Sequence, residues 1–301
     1  MSASSEQSQH ADEPASAMGP LLRFEWTKMM GRRITWLPFL VLTIVVILII
    51  SVFHHVQFTI HKQIFKSFDF NFRDKSEFVN GYYMAAHAMN PVFQMLIPIF
   101  ISVASGLMVA GEAEQGTLRA CLIRPVTRRR LILGKFLMLC GYSLALSFFV
   151  LVLLLAGGIA NFGTGNLYTL NVIFNNGMDG ASMVPEAELP MRFLLAALLA
   201  SAGMAVLSAL ALLISALVDT AAMAYVLTLS IYFAVLTLRA LPFLDWLYPY
   251  LFVTHMLRWQ QCFYSYIKNG EIYVSLIHLT GYLVALLSAS MLLFEERDIK
   301  S

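Results

Sequence analysis

Six runs of mainly apolar residues dominate this chain, at 34–53, 91–110, 131–156, 193–218, 221–238 and 272–294. A helix that crosses a bilayer needs about 20 such residues. In lipid every backbone polar group must find a partner within the chain, so only helices and closed barrels can span. The runs are long and unbroken and lack the short alternation of barrel strands. Only 13% of the residues are charged and 59% are hydrophobic, whereas soluble domains carry about 25% charged residues. These features predict an all-α integral membrane protein with six transmembrane helices.

The placement of Lys and Arg sets the orientation. With the N-terminus in the cytoplasm, twelve of the 20 basic residues fall inside and eight outside, and six of the twelve cluster between Arg119 and Lys135. Both termini are therefore expected in the cytoplasm, and the chain in the cell inner (cytoplasmic) membrane as a multi-pass protein. Residues 1–20 are polar, small and mildly acidic, without the basic start and apolar centre of a secretory signal. They read as a disordered cytoplasmic tail, and the first span then acts as an uncleaved insertion signal. Residues 21–301 read as a single transmembrane domain. A net charge of +2 gives no sign of a nucleic-acid partner; membrane lipid is the expected surroundings.

Segments between the spans carry their own signals. On a helix over 21–33, Leu22, Trp26, Met29 and Met30 share one side, while Glu25, Lys28 and Arg32 share the other. That pattern predicts an N-terminal interfacial helix anchored by Trp26, with a simple extension of the first span as the alternative. Residues 54–90 are aromatic and mixed in charge and read as an external helical segment on the membrane surface. Residues 157–192 are rich in Gly and Asn and read as loop. Residues 239–271 are too apolar for open water, and Pro242 and Pro249 break them. They predict short broken helices, a re-entrant segment before the last span, which must be covered by protein or line a cavity.

Within the spans, Ala197, Ser201, Ala205 and Ala209 recur at four-residue spacing, with Ala196, Ala200 and Ser208 on the adjacent row. Small residues let helices approach closely in lipid, either within the chain or between subunits. Pro98 leaves a carbonyl without its helical partner and predicts a kink. Gln94 and Ser102 in the second span, with Tyr225, Thr228 and Tyr232 in the fifth, are candidates to line a substrate pathway; each also fits a helix–helix hydrogen bond. No span carries a charge near its centre, which argues against a pump built on a buried carboxylate relay. His54, His55 and His61 match no familiar metal spacing, and Cys121, Cys140 and Cys262 suggest neither a metal site nor a disulfide framework. No metal site is expected. There is no Gly-x-x-x-x-Gly-Lys-Ser/Thr phosphate loop and no His-Glu-x-x-His pair. The chain is read as a non-enzyme that carries no cofactor.

One cytoplasmic turn stands apart. It runs from Gly111-Glu112-Ala113-Glu114-Gln115-Gly116-Thr117-Leu118-Arg119 to Arg124-Pro125-Val126-Thr127-Arg128-Arg129-Arg130. Glu112 and Glu114 suit the N-terminus of a short surface helix, Pro125 stops it, and the arginines suit anionic headgroups. A basic inside loop explains the arginines alone. It does not explain Glu114-Gln115-Gly116-Thr117-Leu118, then Pro125-Val126-Thr127-Arg128, then Gly134-Lys135.

At these residues the chain resembles the permease subunits of type-2 ATP-binding-cassette (ABC) exporters, with Thr127 where Ser is common. Leu22, Glu25 and Lys28 are similar to that family's connecting helix, and Phe294 with Arg297-Asp298-Ile299 to a frequent ending. The resemblance implies a permease that works with a second permease copy or close homologue and two copies of a separate cytoplasmic ABC ATPase, which holds the ATP and Mg. It implies that 112–124 is the coupling helix, with Glu112, Glu114, Gly116, Thr117, Leu118, Arg119 and Arg124 meeting the ATPase. ATP hydrolysis on that partner would then move a substrate, with an amphipathic or lipid-like cargo favoured. A membrane scaffold or sensor that docks a partner without transport is the alternative. A type-1 importer permease fits less well, because Glu112-Ala113-Glu114 is followed by no Ile-x-Leu-Pro.

Overall fold

The computed structural model describes residues 18–67, 79–116, 127–170 and 181–296. Among the described residues, six helices are long and apolar enough to cross a membrane: Arg33–His55, Gly81–Met108, Arg128–Phe162, Glu186–Leu217, Ala221–Arg239 and Asn269–Glu296. The all-α membrane architecture is therefore as expected. The helices overrun the apolar runs, because a helix ends where its backbone finds a cap rather than where hydropathy falls. Helix α2 (Arg33–Ser67) continues through His54 and His55, so the external surface segment is in part an extension of the first span. Helix α3 (Gly81–Pro91) starts ten residues before the apolar run, where the Asn80 side chain accepts a hydrogen bond from the Tyr83 amide at 3.0 Å.

Helix α1 (Met18–Met30) is separate from α2. Two α2 side chains close its C-terminus: the Thr35 hydroxyl donates to the Met29 carbonyl at 2.7 Å and the Trp36 indole to the Met30 carbonyl at 3.0 Å. One face of α1 differs from expectation. Glu25 is buried, on the side read as facing water, and Trp26 is exposed.

The second crossing is made of α3, a π-helical turn at Val92–Leu96 and α4 (Ile97–Met108). Pro98 explains the irregularity. It has no N–H to offer the Gln94 carbonyl one turn back, and the Tyr232 hydroxyl donates to that carbonyl at 2.9 Å instead. A break at Val109 then redirects the chain into α5 (Ala110–Glu114). Helix α6 (Arg128–Phe162) is the third crossing. Beyond it, strands β1 (Leu167–Leu170) and β2 (Ala181–Val184) pair antiparallel, so the Gly/Asn-rich segment read as loop contains a strand pair.

Helix α7 (Leu189–Leu217) is the hub. Of its most apolar window 72% is buried, against 17% for the first and last spans. It packs on α4, α6, α8 (Ala221–Arg239) and α10 (Asn269–Glu296). Ala196, Ala197, Ala200, Ser201, Ser208 and Ala209 are all buried, so the small-residue rows serve packing within the chain. Gly81 and Gly158 bring α3 and α6 together; a Cβ on Gly81 would lie 2.5 Å from the Gly158 carbonyl carbon. Large apolar side chains on the outside of the first and last spans, among them Leu40, Ile44, Ile277 and Leu292, are exposed.

Residues 242–263 are a string of short helices: a 3₁₀ turn Pro242–Tyr250, α9 (Phe252–Met256) and a second 3₁₀ turn Leu257–Phe263. Trp259, Cys262 and Phe263 are buried, and the second turn rests on α7. Arg192 at the start of α7 binds the carbonyls of Cys262 (3.2 Å), Tyr264 and Ser265 (3.3 Å). It also pairs with Glu188 at 2.7 Å. The second turn is thus covered by protein and free carbonyls that follow it are partly satisfied, whereas no residue of Pro242–Tyr250 is buried.

Candidate functional site

The short helix α5 is aimed by one hydroxyl. Ser215 of α7 accepts from the Ala110 amide at 2.8 Å, across the break at Val109. This directs the Glu112 side chain into the protein, where it is 0% exposed. Lys135 of α6, also 0% exposed, donates to Glu112 at 2.8 Å and to both Glu25 oxygens at 3.1 and 3.2 Å. Lys28 pairs with Glu112 at 2.8 Å and Arg32 approaches it at 3.8 Å. Arg32 also donates to the Leu107 carbonyl at 3.2 Å.

Five charged side chains from three elements, α1 with its trailing turn, α5 and α6, therefore form one cluster. Ions taken from water lose several kcal/mol of solvation each, and only close, well-bonded partners offset that loss. Such a cluster resists separation: withdrawing any element strands a buried charge. Gly134 makes the approach of α1 to α6 possible. A Cβ there would lie 3.1 Å from Leu21 Cδ2. The adjacent Gly134-Lys135 pair thus has one physical purpose, with Gly admitting α1 and Lys binding its acid.

Glu114 points elsewhere. Its carboxylate accepts from the Ala221 amide at 3.0 Å, at the N-terminus of α8, where negative charge is favoured. The helix terminus it serves is that of the fifth span. Gly116 adopts φ +68°, and a methyl group in place of its hydrogen would meet no atom within 4 Å, so the turn needs Gly for its backbone and not for space. Thr117, Leu118, Arg119 and Arg124 lie outside the described residues. Arg128 donates to the Phe294 and Glu295 carbonyls at 3.1 and 3.0 Å, and Arg129 grips the Glu295 carboxylate at 2.7 and 2.8 Å. These two arginines, read as headgroup contacts, hold the C-terminal end of α10. The C-terminal residues 297–301 are not described.

Of the five candidate pathway residues, Gln94 lines a cavity. Ser102, Thr228 and Tyr232 are buried, and Tyr225 stands where α8 crosses α4 at Gly106. Thr228 bonds back to the Ala224 carbonyl at 2.7 Å. The second and fifth spans pack against each other at these residues. In the sequence Lys135 stands within the basic cluster and the Gly134-Lys135 pair, and Glu25 on a polar face with Lys28 and Arg32; each finds its buried partner far away in the chain, which leaves no local signal.

No curated protein shows a significant match to the chain. A family model described as ABC-2 family transporter protein matches residues 20–299, which takes in all six spans, the ion cluster and the broken helices. Six apolar helices and that match make the chain a multi-pass membrane permease, and it belongs to the ABC-2 transporter family.

Proposed function

We propose that this permease is the membrane half of an exporter, with both termini in the cytoplasm of the cell that holds it in its inner membrane. Membership of the family implies a cytoplasmic ABC ATPase as partner. In this reading two ATPase copies bind ATP and Mg, two permease copies or close homologues pair, and the cargo is amphipathic or lipid-like. Residues 112–124 couple the two halves, and nucleotide-driven closure displaces this segment.

The observation that carries the reading is the buried cluster on Glu112. A segment pushed from the cytoplasm transmits work only through contacts that do not yield. Glu112 is tied to α6 through Lys135 and to α1 through Lys28. Displacement of α5 therefore moves the third span and the interfacial helix with it. Glu114 carries the same displacement to the fifth span through the α8 N-terminus. The exposed remainder of the turn, from Glu114 to Gly116, is left for contact with the partner.

The test is reconstitution with the cognate ATPase in liposomes. Glu112→Gln and Glu114→Lys are expected to insert normally and bind the ATPase, but to transport less substrate per ATP hydrolysed. An unchanged ratio in both variants refutes the coupling role. Recovery by the intact chain of only partners that lack a phosphate loop would favour a scaffold or sensor.

A further inference from the structure

Helix α8 runs for 19 residues, from Ala221, held by Glu114, to Arg239, a length of about 28 Å. At that far end lies a cavity of about 880 Å³ between the second span, α8, α10 and the broken helices. Its charge balance is uneven in a specific way. Glu271 is already engaged: it takes Arg258 at 2.6 Å, the Gln261 amide at 2.6 Å and Lys268 at 3.1 Å. Asp245 is exposed. Arg239 is half-buried and makes no ion pair among the described residues, and the formal charge acting on it is that of Arg258, a like charge.

Donors are left over. Arg258 gives one nitrogen to Glu271, while its buried Nε–H has no partner among the described residues, and neither has the buried Thr254 hydroxyl. An unpaired buried donor costs about 1–3 kcal/mol, which an anion with two or more acceptor oxygens offsets best through charge-assisted bonds. Asn90, Gln94 and Gln260 form an amide ladder along one wall: Asn90 Oδ1 accepts from both glutamine side chains. The Gln261 Oε1 atom is buried without a donor and suits a hydroxyl on the same ligand. Around the segment, Phe243, Trp246 and Tyr250 are exposed, an aromatic fringe of the kind that sits at a membrane interface.

We propose that this cavity binds the anionic headgroup, phosphate or carboxylate, of an amphipathic molecule. Arg239 and Arg258 supply the charge, Thr254 a neutral donor, and the aromatic fringe borders the apolar chain. This rests on the transport reading only for its consequence, which is that the cargo is an anionic amphipath; the site itself is defined by binding.

The test needs neither ATPase nor transport, so its failure and that of the exporter reading are separable. The purified chain in detergent is titrated with dihexanoyl phosphatidic acid, dihexanoyl phosphatidylcholine and inorganic phosphate, with intrinsic tryptophan fluorescence and thermal melting as readouts. Saturable binding of phosphatidic acid is expected, at least about tenfold tighter than phosphatidylcholine. Arg239→Gln should weaken it by about tenfold or more, the loss of one charge-assisted contact. Because Arg239 has no ion pair to lose among the described residues, this variant keeps its melting point without ligand; Arg239→Lys recovers part of the affinity. Inorganic phosphate binding as tightly as phosphatidic acid would refute the amphipath and assign a soluble anion. Equal binding of the two lipids, or no effect of Arg239→Gln, would overturn the site.

Discussion

Lys135→Met isolates the physics of the buried cluster. The lysine nitrogen is shared by two carboxylates, and they lose different amounts. Glu112 keeps Lys28 at 2.8 Å and Arg32 at 3.8 Å. Glu25, 1% exposed, loses its ion-pair partner. The cost is therefore that of stranding one buried carboxylate, about 3–5 kcal/mol. At about 2–4 °C per kcal/mol for a chain of this size, the melting midpoint in detergent falls by roughly 10 °C. The double variant Lys135→Met/Glu25→Gln removes the stranded charge and should regain most of that loss, since a neutral replacement of a buried pair is often tolerated. Glu112→Gln in the same background should add little, because Lys28 is part-exposed and can turn to water. The measurement is thermal unfolding followed by tryptophan fluorescence, with the native chain, the single variants Lys135→Met and Glu25→Gln and their double variant as a cycle. A single Lys135→Met that melts with the native chain, or a double variant no better than the single, would refute the argument that Glu25 and Lys135 are buried together.

Other consequences follow from particular contacts. Tyr232→Phe leaves the Gln94 carbonyl without its donor and should cost about 1–3 kcal/mol; adding Pro98→Ala restores a helical N–H and should return part of it, read from the same melts. Gly81→Leu forces a side chain into the Gly158 backbone and should abolish monodisperse folding on gel filtration, whereas Gly141→Ala, with nothing within 4 Å of the added carbon, should be silent. Burial pushes the Cys262 thiol up to about 12, so thiolate-directed labelling of the folded chain at this position should stay negligible from pH 7 to 10 and appear on unfolding. Burial lowers the His255 proton affinity, and its nitrogens meet the Pro249 carbonyl and Ser275 hydroxyl. Because the unfolded state binds the proton more readily, stability is complete above the unfolded value and declines as pH falls through 6.5 toward the lower folded value. His255→Gln should flatten that decline in melts taken between pH 8 and 5.

The sequence alone determined the class of solvent, the number of crossings and the all-helical architecture. Length and apolarity of a run are local properties, and in lipid a helix satisfies its own backbone. It also carried the family, through Glu114-Gln115-Gly116-Thr117-Leu118 and Gly134-Lys135, and the broken character of 239–271, through its prolines. Tertiary structure decided what the polar residues do. Periodicity put Glu25 on the watery side of α1, yet the helix is turned so that this side meets Lys135, 110 residues away in sequence. Tyr232, a candidate either for the pathway or for a helix–helix hydrogen bond, serves the carbonyl that Pro98 leaves open. Arg128 and Arg129 looked like headgroup contacts and instead hold the C-terminal end of α10. A polar side chain in a membrane protein must find a partner, but its sequence neighbours do not say which. That choice belongs to the packing of helices, where distance in space replaces distance along the chain.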